Sequence, residues 1–339
     1  MNRAHQLGII GCGDFLRWQA DSIKKSKRIA VRALFDTDRG RAQKYAGQLG
    51  GRVADSAEGI FADPAIDVVA LFVPPWVRRG LIAQAAKAGK QIITTKPLGP
   101  NTADCRAMVA AVKKARVRCG VFYRRTGNAG IELYKQIFDS GKFGKLALYK
   151  QDWIHHYPAW NTWALDPKKN GGPFMDAMIH NLNIARYLMG ARPTAATFFS
   201  QSHAHRLPCA DTEFMKIDFG PRRSAHLFIT WAADLAVYST AGNDREHVDI
   251  TYMVTDRGWR LTEGWENGKF TVTASKDGKQ EKFTAPVLPR TPYDEFVRAV
   301  EARDRFGGGV VDIVEAAQDI QILGQVGRKT GRQTHLRLD

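Results

Sequence analysis

Three short runs in this chain gather residue types that do chemistry. The first, Gly8-Ile9-Ile10-Gly11-Cys12-Gly13-Asp14-Phe15-Leu16, lets backbone N–H groups and a helix N-terminus approach an anion such as a pyrophosphate. The second, Thr94-Thr95-Lys96-Pro97-Leu98-Gly99, presents an ammonium at the end of a hydrophobic run. The third is Gly171-Gly172-Pro173-Phe174-Met175-Asp176-Ala177-Met178-Ile179-His180, in which Asp176 and His180 stand four apart on one helix face. A carboxylate beside an imidazole is a proton-transfer pair, and an ammonium near a developing alkoxide stabilises its charge. Each run also has a plainer reading: a tight turn, an exposed lysine, a helix histidine satisfied by its neighbours.

Positioning such groups needs a scaffold, and the pattern of the chain supplies one. Up to about residue 123, short β-rich runs (Gln6 to Ile10, Ile29 to Phe35, Asp67 to Val73, Gln91 to Thr94, Val117 to Phe122) alternate with amphipathic ones. The latter lie near Phe15 to Lys24, Arg39 to Leu49, Val77 to Ala88 and Thr102 to Ala115. This rhythm predicts an α/β domain with a doubly wound parallel sheet, the glycine turn following its first strand and Lys96 at the C-terminal edge of a later one. From 124 to 339 the pattern is α+β. Helices near Gly130 to Asp139 and Met175 to Met189 precede a series of strands that reads as an open, mainly antiparallel sheet. Two terminal helices, free to pack back on the first domain, then follow.

Asp36 ends the second strand at the distance where an acidic side chain meets an adenosine ribose, which favours NAD. Arg39 and Arg41 nearby leave NADP open, and helix capping is the alternative role for Asp36. The formal charge of +16 is scattered in short clusters such as Arg78-Arg79 and Lys113-Lys114. It reads as a solvated surface that steers phosphates, with an acidic substrate as the alternative and no nucleic-acid module in view. Four cysteines without metal spacing fit reduced thiols and a cytoplasmic protein. No apolar run approaches the ~20 residues of a membrane span, and no secretory signal is recognisable.

The three runs, in this order, resemble the glucose-fructose oxidoreductase / inositol dehydrogenase / MocA family over essentially the whole chain. The resemblance implies an NAD(P)-dependent sugar or polyol dehydrogenase, a homodimer or homotetramer, with Lys96, Asp176 and His180 catalytic and no metal. It places Gly11, Gly13, Asp14, Phe15 and Asp36 on the cofactor, joined by Pro74, Arg78, Thr95 and Lys96 towards the nicotinamide. Tyr123 and Arg124 correspond to the family's tyrosine/arginine segment at the domain crossover. Thr95 and Arg78 depart from the usual glutamate and histidine, Leu16 from the third small residue of the glycine turn, and Asn183 from a frequent aspartate. The aromatic stretch Asp152 to Trp163 offers His156, Tyr157 and Trp160 as sugar contacts, while Lys168, Lys169 and Asn170 could meet an acidic group of the substrate. Redox-neutral glycoside cleavage and a non-catalytic sugar or dinucleotide sensor are the competing functions.

Overall fold

The computed structural model describes residues 4–155, 162–232, 247–327 and 331–339. The chain divides into two compact units, Met1–Asn128 with Leu288–Ile320, and Ala129–Val287 with Gln321–Asp339. The first boundary falls at Asn128, and the chain returns to the first unit late, a return that the sequence leaves open for its terminal helices. The helix Pro292–Ala302 buries Tyr293, Phe296 and Val297 in one core cluster with Leu7, Ile9 and Leu34. Its Asp294 carboxylate accepts from the Ser26 hydroxyl and from the amides of Lys27 and Arg28.

In chain order the first unit runs β1 (His5–Ile10), α1 (Asp14–Lys25), β2 (Ile29–Phe35), α2 (Arg39–Leu49), β3 (Arg52–Val53) and α3 (Ala57–Ala62). It continues with β4 (Val68–Leu71), α4 (Arg78–Lys87), β5 (Gln91–Thr95), α5 (Thr102–Ala115) and β6 (Cys119–Phe122). Among the described residues the sheet order is β3-β2-β1-β4-β5-β6, all parallel, with the short strand Val311–Asp312 antiparallel on β6. This is the doubly wound arrangement expected from the sequence, and its strand order reverses between β1 and β4, where such sheets bind ligands. Every residue of β4 and of β6 is buried, which explains their unbroken apolar character. Local chemistry sets the helix starts: Asp38 caps α2 through the amides of Gly40 and Arg41, and Asn101 caps α5 through that of Asp104.

The second unit comprises α6 (Ala129–Asp139), β7 (Leu146–His155), α7 (Ile179–Met189), β8 (Ala195–Gln201), β9 (Thr212–Asp218), β10 (Ser224–Thr230), β11 (His247–Thr255), β12 (Arg260–Glu266), β13 (Lys269–Lys276) and β14 (Lys279–Thr284). The described strands form one sheet in the order β14-β13-β12-β11-β7-β10-β9-β8, closed at the β8 edge by Thr334–His335. Only the β7–β10 pair among these is parallel. Period-two alternation gives the sheet two unlike faces. Tyr149, Trp153, Met215, Ile217, Leu227 and Met253 point into a core shared with Leu182, Ala185 and Met189 of α7. The register places Phe199, Phe214, Phe228 and Ile250 on the opposite face, where Phe199 is 42% exposed.

Candidate active site

The dinucleotide end is built by the meeting of β1 and β4. Gly11 has φ +94°, and a Cβ there would lie 2.3 Å from the Phe72 carbonyl oxygen, so only glycine allows the turn. A Cβ on Gly13, by contrast, would meet nothing within 4 Å, and α1 begins there with no side chain capping its N-terminus. The residues present fit a bound pyrophosphate: open space faces amides that no side chain satisfies. Phe15 leans on Phe72 with ring centroids 5.0 Å apart, Asp14 is exposed on the first turn, and Leu16 is fully buried. The helix therefore meets the sheet through a leucine instead of a third small residue.

Asp36 does not cap the following helix, since Asp38 performs that task. Its carboxylate accepts from the Cys12 amide at 2.6 Å and the Asp38 amide at 2.8 Å, which locks it beside the glycine turn. Arg39 pairs with Asp55 and Arg41 with Asp38, at 3.0 and 3.3 Å. A carboxylate in this position can accept from hydroxyl groups and repels a phosphate. Asp36→Ala should raise the NAD Kd about tenfold, roughly 1.4 kcal/mol, and affect NADP less. Titration by intrinsic fluorescence tests this, and a Kd within about twofold of wild type would remove Asp36 from the nucleotide site.

Lys96 follows β5 directly, half-buried, with a cis peptide to Pro97, and its amide donates to the Phe122 carbonyl at 3.3 Å. Thr95 is buried, and its hydroxyl donates to the same carbonyl at 3.2 Å. Arg78, expected among the cofactor contacts, is only 2% exposed, and its guanidinium donates to backbone instead. Nε reaches the Val73 carbonyl at 2.9 Å and a second nitrogen reaches it at 2.6 Å, while the third donates to the carbonyls of Thr95 and Pro97. One side chain thereby ties the turn before Pro74 to both residues flanking Lys96. Burial pushes the guanidinium pKa down to about 9, so the group stays charged at neutral pH. Tyr123 is buried near Arg78, whereas Arg124 is exposed.

In the second unit the glycines Gly171 (φ +89°) and Gly172 (φ +104°) lead into a π-helical turn, Phe174–Met178, before α7 begins. The sequence pattern predicts an uninterrupted α-helix from Met175, whereas the Ile179 amide reaches back five residues to the Phe174 carbonyl. Such turns recur at functional sites because they re-aim side chains. Asp176 lies on this turn and His180 on the first turn of α7, both half-buried. Asn170 is buried, and its Nδ2 donates to Asp176 Oδ1 at 3.2 Å, so it orients the carboxylate. Lys168 and Lys169 are exposed, Lys169 pairing with Asp166 at 3.4 Å.

Sequence reasoning missed Glu213 entirely. Its Oε2 accepts from the Phe174 amide at 2.6 Å and its Oε1 from the Ser200 hydroxyl at 3.1 Å. The available signal was a carboxylate at a core-facing position of β9, in phase with Met215 and Ile217. Burial pushes its carboxyl pKa from 4.5 up to about 7. The folded state thus holds this proton more tightly than the unfolded chain. Its contribution is complete below the unfolded pKa and is lost as pH rises through the folded one. Glu213→Gln removes the effect, so between pH 5 and 8 its stability relative to wild type should rise by about 3 kcal/mol. Urea midpoints at the two pH values check this, and a pH-independent difference would refute it.

Burial disfavours the thiolate form of the cysteines. Burial raises Cys12 and Cys105 to about 12 and Cys209 to about 11. Among the described residues no three His, Cys, Asp or Glu side chains cluster as a metal site, and no helix is long and apolar enough to cross a membrane. His156, Tyr157 and Trp160 lie outside the described residues.

Comparison with known proteins agrees with this division of labour. Residues 5–123 match the model of the GFO/IDH/MocA oxidoreductase family with its NAD-binding Rossmann fold, and residues 131–245 match the GFO/IDH/MocA C-terminal domain. An uncharacterized oxidoreductase of Streptococcus pneumoniae is 27% identical over 228 residues, 65% of this chain and 61% of that protein. The scyllo-inositol 2-dehydrogenase (NAD(+)) of Bacillus subtilis is 32% identical over 173 residues, 48% of this chain and 47% of that protein. The matched segments thus span about half to three-fifths of these relatives. The crystal structure of the Caulobacter crescentus aldose-aldose oxidoreductase, complexed with glycerol, superposes with a TM-score of 0.83 at 20% identity, over 98% of this chain and 100% of that one. With both domain models matched in order, and the glycine turn, Asp36 and the Lys96 edge placed on a doubly wound sheet, the chain belongs to the GFO/IDH/MocA family of oxidoreductases.

Proposed function

We propose that this chain is an NAD-dependent oxidoreductase that exchanges a hydride with a sugar, a polyol or a sugar derivative, using Lys96, Asp176 and His180 as its catalytic groups. The observation that carries the reading is the open, uncapped start of α1 beside the locked Asp36 carboxylate, on a chain whose two halves match the family's two domains. NAD, when bound there, supplies the hydride acceptor for the oxidation. The Lys96 ammonium donates to the oxygen on the carbon that reacts and stabilises the negative charge developing on it. His180 takes the hydroxyl proton in the oxidative direction and returns it in the reductive one. Asp176, held by Asn170, orients the substrate beside the imidazole.

Cyclic polyols and sugars are the substrate class favoured, because relatives bear names such as scyllo-inositol 2-dehydrogenase and levoglucosan dehydrogenase. A homodimer or homotetramer belongs to the same reading, with the open sheet face around Phe199 and Tyr252, 42% and 41% exposed, as the surface it would cover. Light scattering after gel filtration measures that state. The function itself is tested by following NADH formation across polyols, sugars and sugar acids, beside a matching set of glycosides. NADH accumulation with a polyol or sugar is the expected result. Glycoside turnover without it would replace the dehydrogenase by redox-neutral chemistry, and failure to bind NAD would end the proposal.

A further inference from the structure

Strand β9 alternates core-facing Glu213, Met215 and Ile217 with half-buried Phe214, Lys216 and Asp218. Across the sheet, Glu213 is in register with Ser200 on β8 and Ile229 on β10. An acid in such a row, 6% exposed, is costly unless its oxygens are satisfied. Ser200 on β8 satisfies one of them, and the segment that carries the proposed catalytic pair satisfies the other. Phe174 opens the π-helical turn, and the residue before it, Pro173, neither has an amide hydrogen nor offers a capping side chain. The Phe174 N–H therefore finds its acceptor on a different element, Glu213 Oε2, at 2.6 Å. Gly172 lies beside that oxygen: a Cβ at this residue would be in ordinary contact, 3.6 Å from Oε2 and 3.4 Å from Cys209 Cβ. Asp176 lies two residues beyond Phe174, and His180 six.

We propose that Glu213 is a positioning residue of this active site, capping from the sheet the turn that bears Asp176 and leads to His180, and so fixing where that pair stands. The inference rests on the reading of Asp176 and His180 as catalytic. It assigns to β9 a task that the helix cannot perform for itself, since the glycines and proline that open the segment leave it without a cap of its own. The Ser200 hydroxyl, donating to Oε1, holds the carboxylate in the orientation that the Phe174 amide requires.

Two variants of the full chain, Glu213→Leu and Glu213→Gln, test this against wild type with three readouts: amide exchange of residues 171–180 by mass spectrometry, Kd for NAD, and kcat with NAD and myo-inositol as probe. Glu213→Leu should speed exchange in that segment about tenfold or more and lower kcat by about 10- to 100-fold, with Kd for NAD within about twofold. Glu213→Gln keeps an oxygen for the Phe174 amide and should stay within about threefold of wild type in all three. Unchanged exchange in Glu213→Leu, a Gln variant as damaged as the Leu variant, or parallel loss of NAD affinity and kcat would each overturn the assignment. If Glu213→Leu does not fold, the Gln variant decides alone, and a large loss of kcat in it counts against the proposal. If wild type turns over neither myo-inositol nor any other compound of the screen, the oxidoreductase reading falls, while the exchange comparison still decides the role of Glu213.

Discussion

Lys96→Ala should bind NAD within about threefold of wild type and turn over at least about 10³-fold more slowly. The asymmetry follows from where the residue stands. The proposed NAD site is the glycine turn, the start of α1 and Asp36, which follow β1 and β2, whereas Lys96 follows β5. The ammonium instead sits past the end of β5, with its backbone pinned to Phe122, and its proposed partner is an oxygen that gains charge only as hydride leaves. A group that acts on charge present chiefly in the transition state changes kcat and leaves ground-state binding largely intact. Stopped-flow measurement of the hydride step, with fluorescence titration of NAD, separates the two quantities. Equal losses in both would show that Lys96 serves the cofactor site and not the chemistry.

For Arg78→Met we expect a loss of about 3 kcal/mol in unfolding free energy and a fall in turnover larger than any change in NAD affinity. The guanidinium is buried, and it satisfies the carbonyls of Val73, Thr95 and Pro97. Removing it strands two buried acceptors and a part-buried one at ~1–3 kcal/mol each, offset in part because a desolvated cation is removed as well. The geometric consequence matters more than the energy. Thr95 and Pro97 bracket Lys96, so freeing their carbonyls frees the lysine's backbone. Arg78→Lys should recover only part of the loss, because one ammonium cannot reproduce a planar fork that reaches two chain segments at once. Chemical denaturation and steady-state kinetics on the same preparations check both statements. A variant that keeps wild-type stability and kcat would show that the β4 and β5 loops hold themselves.

Much of the fold was legible in local sequence. The predicted spans Ile29 to Phe35, Arg39 to Leu49 and Thr102 to Ala115 coincide with β2, α2 and α5 to the residue. In the two helices the boundary is written in adjacent side chains, Asp38 and Asn101, that cap the first turn. The omissions share a cause. Strand β3 has two residues and α3 six, too short for periodicity to register. β12 and β14, with sequences RLTEGWE and KQEKFT, are largely exposed, so little hydrophobic alternation marks them and their pairing with β13 holds them extended.

The same distinction runs through the site. The sequence alone determined which groups stand where along the chain, a glycine turn after the first strand, an acid after the second, an ammonium after a later strand and an imidazole four residues from a carboxylate, because each feature depends on a few consecutive residues or one strand-helix step. What holds those groups was decided by tertiary structure: Arg78 facing backbone, Asn170 on Asp176, Glu213 under Phe174, and the return of Pro292–Ala302 to the first core. These are matters of burial. A buried polar group takes whichever partner the packed chain brings within about 3 Å, and that partner can be 39 residues away, as Phe174 is from Glu213.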